Sequence, residues 1–280
     1  MADAVVRVGG QALPDGVLMR TNRAWAIARA DGTVTTGLMP PERCAAVPVL
    51  RVLTSLGAAL TLGLRGGRGR DAAGRRQRRR PPWKMVGGLV AAEAAVLVLG
   101  RLAGAARLPA GAAPEVRLGL TLAAVVVFRV ATPARQWRYH GAEHKAVAAH
   151  ERGIDLTHTD EVLGCPRVHA RCGTNVVVWL ALAAVWLGRQ PLVVQLPGLA
   201  VALGGVAEMV SAAARHQDTL AARLCLLPGR LLQRFVTTAE PDPAEQGVAC
   251  TALVACLELH RDVPAAPSGR VTTPAGPGTR

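Results

Sequence analysis

The apolar positions of this 280-residue chain fall in long blocks, not in the alternation of strands or the spaced stripe of a surface helix. Ala45–Leu64 is apolar apart from Arg51 and small polar residues. Met85–Gly100 is broken only by Glu93 and continues through Leu102–Ala106. Val116–Thr132 contains the uninterrupted run Leu118–Phe128. Cys172–Gly188 and Pro191–Ala214 follow, separated by Arg189-Gln190, the second interrupted by Pro197-Gly198 and Glu208. About 20 helical residues cross the hydrocarbon of a bilayer. The blocks from 85 onward therefore predict about four transmembrane helices, while 45–64 fits a span or an interfacial helix equally well.

Polar stretches between the blocks predict the remaining elements. Ala24–Ala30 and Thr33–Thr36 flank Asp31-Gly32, a two-residue hairpin turn, within a turn-rich N-terminal segment 1–44. Residues 65–84 form an Arg-rich linker. After Pro133 a helix is expected over about Ala134–Arg152, closed by Gly153. Segment 133–173 is then a polar excursion from a membrane core spanning 85–214. Residues 215–262 predict amphipathic helices. The first carries Arg215, Arg223, Arg230 and Arg234 among leucines, and the second starts at a capping box, Asp242-Pro243-Ala244-Glu245. The tail 263–280, rich in Pro, Gly and Ser, is expected to be disordered. The expected fold class is mostly α: a polytopic helical membrane protein with a small N-terminal β-containing cytoplasmic segment.

Composition and charge support that picture. Half the residues are hydrophobic but only 3% are aromatic, so the apolar blocks are Ala, Val and Leu. Of the formal charge of +14, nine cations less Asp71 put +8 between Arg65 and Lys84. Charge so local, directly before an apolar block, reads as a cytoplasmic membrane flank contacting lipid, not as a specific nucleic-acid surface. With that linker inside, four spans return the 133–171 loop and the C-terminus to the cytoplasmic face of an inner membrane. The first thirty residues hold no signal-peptide core, and cysteines 44, 165, 172, 225, 250 and 256 include no Cys-x-x-Cys pair, which argues against a disulfide framework. Glu93 would lie about 12 Å into its span, as a functional group or as a partner of Arg101 or Arg129.

The candidate chemistry sits in the polar excursion. Five of the seven histidines fall between His140 and His169. His140 and His144, four residues apart, share one helix face, with Glu143 beside them. This His-x-x-Glu-His pattern suits two imidazoles on one zinc ion and a glutamate acting as general base to the attacking water. Zinc needs at least one more ligand. Glu208, about 25 Å along the last span, returns to the cytoplasmic side and ranks first. His169 and Cys172 follow. Glu151 lies about 10 Å beyond His144 along the helix, too far to join. Arg171 is placed to stabilise developing negative charge.

Four ordered blocks carry a resemblance: Gly9–Arg20 (GGQALPDGVLMR), Tyr139–Lys145 (YHGAEHK), His169–Thr174 (HARCGT) and Thr237–Asp242 (TTAEPD). The chain resembles the YqhQ-like family of bacterial membrane proteins, described as of unknown function or as candidate metal-dependent enzymes. Ala170 stands where the family pattern has proline, Asp15 where it has glutamate, and Val52 where it has glycine. The resemblance implies an inner-membrane protein with His140, Glu143, His144, His169, Arg171 and Cys172 as motif positions. It supplies no reaction. The site chemistry points to a zinc-dependent hydrolase acting at a peptide or amide bond. The alternatives are a scaffold or assembly factor with a structural metal, and a transporter using Glu93 and Arg129.

Overall fold

Four short strands open the chain: β1 (Gly9–Leu13), β2 (Gly16–Arg20), β3 (Ala24–Arg29) and β4 (Val34–Leu38). The structure, a computed structural model, describes residues 6–39, 126, 129–187 and 190–263. The strands form an antiparallel meander in the order β1-β2-β3-β4, with Gly10 opposite Met19 and Ile27 between Leu18 and Thr35. The β3–β4 hairpin turns at Asp31-Gly32. Gly32 adopts φ 80°, and the Asp31 carboxylate accepts from the Thr33 amide and hydroxyl at 3.0 and 2.6 Å. The β1–β2 hairpin was not expected. Pro14-Asp15 is its turn, tied to β3 by a 2.6 Å ion pair between Asp15 and Arg29.

Period-two alternation gives the sheet two apolar faces. Val17, Met19, Ala24, Ala26 and Ala28 face the main core. Leu13, Leu18 and Ile27 pack on the other side with Trp25 and Met39. Two helices lie on the main face: α1 (Ala134–Glu151) and, last in the chain, the α6 helix (Pro243–Asp262). Tyr139, Ala142, Ala146 and Ala149 of α1 meet Ala249, Ala252, Leu253 and Cys256 of α6 in one buried cluster with the sheet. The capping box forms. Asp242 accepts from the Glu245 amide at 2.7 Å, and Glu245 reaches back to the Asp242 amide at 3.1 Å. Such a cap stabilises a helix by about 1 kcal/mol. The ends of the described chain meet here too. His260 bonds Thr21 at 2.9 Å, Cys256 bonds the Ala24 carbonyl at 3.5 Å, and Arg23 bonds that of Val263 at 3.3 Å.

A short helix α2 (Thr159–Leu163) leads to a second helical layer. It comprises α3 (Gly173–Leu187), α4 (Leu192–Arg215) and α5 (Leu220–Leu232), which runs into a π-turn at Gln233–Thr237. Ala170, Val210, Ala213, Ala222 and Leu226 form its small core. The opposite side of α5 exposes Leu220, Leu224, Leu227 and Leu231, with Phe235 beyond.

This architecture corrects the expected fold class. Among the described residues one helix, Val193–Arg215, is long and apolar enough to cross a membrane, and Gly173–Ala183 is a shorter apolar helix. Among the described residues there is no plain four-span bundle but a four-stranded antiparallel sheet packed on α1 and α6, with a helical layer beside it. This unit escapes a hydropathy argument because its core comes from short strands and from the small-residue faces of α1 and α6, whereas α3 and α4 do expose apolar side chains, Val177, Trp186, Val193 and Val201 among them. The expected segments 45–64 and 65–84, the tail from 264, and the spans 85–106 and 116–132 (save residues 126 and 129–132) lie outside the described residues, as do Glu93 and Arg101. Arg129 lies 5.3 Å over the Trp137 ring.

Candidate metal centre

Each residue of Tyr139–Lys145 has a distinct neighbour, because α1 is enclosed by the sheet, α6 and the 237–242 segment. Tyr139 is fully buried in the core. Gly141 is where the chain crosses α1. A side-chain carbon there would run into the Ala239 carbonyl oxygen. That crossing is secured by the Ala239 amide donating to the Trp137 carbonyl at 2.9 Å. Gln246 of α6 donates to the Ala142 carbonyl at 3.1 Å.

The two histidines are oriented by backbone carbonyls. His140 Nδ1 donates to the Thr237 carbonyl, and His144 Nδ1 to that of Arg167, each at 2.6 Å. A carbonyl can only accept, so both rings carry their proton on Nδ1 and keep the Nε2 lone pair for a ligand. The rings stand edge to face, centroids 4.4 Å apart. His140 Nε2 lies 3.4 Å from Cys172 Sγ. Burial lowers the pKa of His144, chiefly through desolvation, which keeps it neutral and able to ligate.

Cys172 comes from the turn that starts α3, where the Thr174 amide donates to its sulphur at 3.5 Å. One ligand atom each from His140, His144 and Cys172 lie within 4.8 Å of one another. Tetrahedral zinc with nitrogen and sulphur ligands needs separations of about 3.3–3.6 Å. The donor set therefore fits zinc after small side-chain rotations, and three ligands leave a fourth position open.

Glu143 lies on the sheet side of α1, only 7% exposed. Desolvation raises its pKa, opposed by the charges of His140, His169 and Arg20 and by the Gly10 amide, which donates to the carboxylate. A carboxyl whose pKa is raised by burial holds a proton more readily than a free one, as a proton-transfer group needs.

The remaining expected residues separate. His169 is outside the three-ligand group. Its ring is 5.9 Å from that of His144, and its Nε2 bonds Glu151 at 3.2 Å. Burial lowers its pKa too. Arg171 pairs with the same Glu151, so the end of α1 is clasped to the Cys172 turn. Glu208 sits within α4, partly exposed, and does not belong to the His140–His144–Cys172 group.

Several site residues were not singled out by the sequence reading: Thr237 and Arg167, whose carbonyls orient the histidines, Gly10 and Gly141. Lys145 and Glu240 were also missed. Glu240 accepts from Lys145 at 3.0 Å and Arg167 at 3.1 Å, anchoring the residue that holds His144. Gly10, Gly141, Lys145, Thr237 and Glu240 all lie in the four blocks of the family resemblance, and those blocks converge here.

Residues 113–259 match the model of a family described as "Protein of unknown function (DUF1385)". The uncharacterised protein YqhQ of Bacillus subtilis (strain 168) is 28% identical over 154 residues, 50% of this chain and 47% of that protein. The chain thus spans about half the length of the curated relative it matches. No solved structure matches it.

Proposed function

The chain belongs to the DUF1385 family, and for this member we propose a zinc-dependent hydrolase working beside a membrane surface. The observation that carries the reading is the convergence of His140, His144 and Cys172, both imidazoles tautomerically fixed, next to a buried glutamate. His140, His144 and Cys172 would hold the ion, which when bound would supply Lewis acidity toward a water. Glu143 takes the proton of the attacking water and returns it to the leaving group. Arg171, one residue before a ligand, faces negative charge that develops on the substrate. The bond cleaved is a peptide or amide bond, by likeness of the His-x-x-Glu-His pattern.

The membrane setting rests on α4 and α5. The one helix among the described residues that is able to span, Val193–Arg215, leads into α5, whose leucines face outward among Arg223, Arg230 and Arg234. That arrangement suits an interfacial helix at an anionic cytoplasmic leaflet of the inner membrane. Phe235, 71% exposed, ends the stripe two residues before Thr237, so the metal centre would lie at the lipid–water boundary.

A second reading has one observation in its favour. Glu143 bonds the backbone of the sheet, as a purely structural glutamate would, and the ion would then be a clamp in a scaffold protein. Elemental analysis of purified protein is the first test. The expected result is one equivalent of zinc in the wild type, lost in His140→Ala/His144→Ala. Metal-free wild type from a chelator-free preparation would end the enzyme reading. Glu143→Gln then separates the two: it keeps zinc in both, but abolishes cellular function only if the protein is a hydrolase.

A further inference from the structure

β1 is an edge strand, and the groups along its open side need partners. Three side chains of α1 supply them. Gln136 donates to the Ala12 carbonyl at 3.5 Å, Glu143 accepts from the Gly10 amide, and His150 Nε2 donates to the Val6 carbonyl at 3.0 Å. These α1 residues are spaced by seven, one stripe along a helix. Their partners are all even-numbered: Ala12 and Gly10 share the open edge of β1, and Val6 lies just ahead of it. Glu143 is the centre of this seam, about one helical turn after His140 and immediately before His144.

The approach at the centre is close. A side-chain carbon on Gly10 would lie 2.6 Å from Glu143 Cγ and 2.7 Å from its Cδ and Oε1. On Gly9, its neighbour in the same strand, the nearest atom would be Arg20 Nε at 4.0 Å. So a methyl on Gly10 would displace the Glu143 side chain, whereas one on Gly9 would displace nothing. Nothing in the strand geometry demands the difference, whereas the carboxylate does.

We propose that Gly10 is the positioning residue for Glu143: its bare Cα admits the carboxylate and its amide fixes one oxygen, setting where the group is held on the helix that carries His140 and His144. The catalytic meaning of this contact rests on the hydrolase reading. The contact itself does not.

The test uses full-length protein carrying ¹³C-labelled glutamate, with Glu143→Gln identifying the Glu143 infrared band. In Gly10→Ala the band should shift, because the amide bond is lost, while Gly9→Ala leaves it in place. Zinc content should match the wild type in both. The double variant Gly10→Ala/Glu143→Asp, one methylene shorter, should recover most of the melting temperature lost in Gly10→Ala. An unshifted band in Gly10→Ala, or an equal shift in Gly9→Ala, overturns the proposal. Should Gly10→Ala fail to fold, it is compared in a Glu143→Ala background. Folding there supports the proposal, and failure there too overturns it. Absence of zinc from the wild type would count against the hydrolase reading alone and leave the band comparison intact.

Discussion

Gly141→Ala should destabilise the protein, against the usual rule for a glycine inside a helix. Replacing such a glycine by alanine ordinarily stabilises by about 1 kcal/mol. At this position the new methyl meets the Ala239 backbone oxygen, which cannot rotate away as a side chain would. Forcing an extra carbon into a packed contact costs about 1–3 kcal/mol. Displacing the crossing segment also loosens the Ala239–Trp137 bond and the Thr237 bond to His140, at about 1 kcal/mol each. Relief by partial movement makes these terms overlap, so the net loss is about 2 kcal/mol. For a chain of this size that is a fall in melting temperature of roughly 4–8 °C. Zinc affinity should fall about 10–100-fold, as when a group orienting a metal-bound histidine is lost. Urea unfolding with and without metal, and competition against a chromophoric chelator, measure both. A variant that melts higher than wild type with unchanged zinc affinity would refute the crossing as described.

Cobalt-substituted wild type should show a thiolate charge-transfer band in the near ultraviolet that disappears in Cys172→Ser, with weaker metal retention; an unchanged band would exclude the sulphur as ligand. The pKa values of His144 and His169 are lowered on folding. The unfolded state therefore binds more protons below about pH 6.5, and metal-free protein should lose stability as pH falls through that region. His169→Asn should flatten this acid limb in urea midpoints taken from pH 7.5 to 5, and an unaltered slope would contradict it. Leu224→Glu with Leu231→Glu, both on the exposed side of α5, should reduce co-sedimentation with anionic vesicles several-fold without lowering zinc content. Equal binding would remove α5 from the membrane contact.

The motif helix was legible because its signals are local. Pro133 ahead, Gly153 behind and an i, i+4 histidine pair bound α1 closely to the expected 134–152. The α6 capping box was legible for the same reason. The fold class was not. The apolar blocks at 173–187 and 192–215 do form apolar helices, but no local signal shows that α1 lies against a sheet. The ranking of Glu208 over Cys172 followed from that. Its depth argument assumed a full bundle, whereas Cys172 reaches His140 through a loop whose path depends on Asn175 bonding Ala170 at 2.8 Å and on Gln233 holding the His169 amide, also at 2.8 Å. Contacts made through backbone carbonyls, such as Thr237 and Arg167, leave no side-chain signature to find.

The order in which the chain leaves the ribosome meets a site assembled from both of its ends. The carboxylate seam needs residue 10, the ligands come from 140 to 172, and the carbonyl that turns His140 belongs to residue 237. The sheet that backs α1 is covered only when α6 arrives, through contacts about 240 positions apart in sequence such as His260–Thr21. Contacts so distant close late and slowly. During synthesis the two histidines exist for some time without their orienting partners or their thiol. On the zinc reading, the ion would therefore bind after completion of the C-terminal helix and not at the first appearance of the motif.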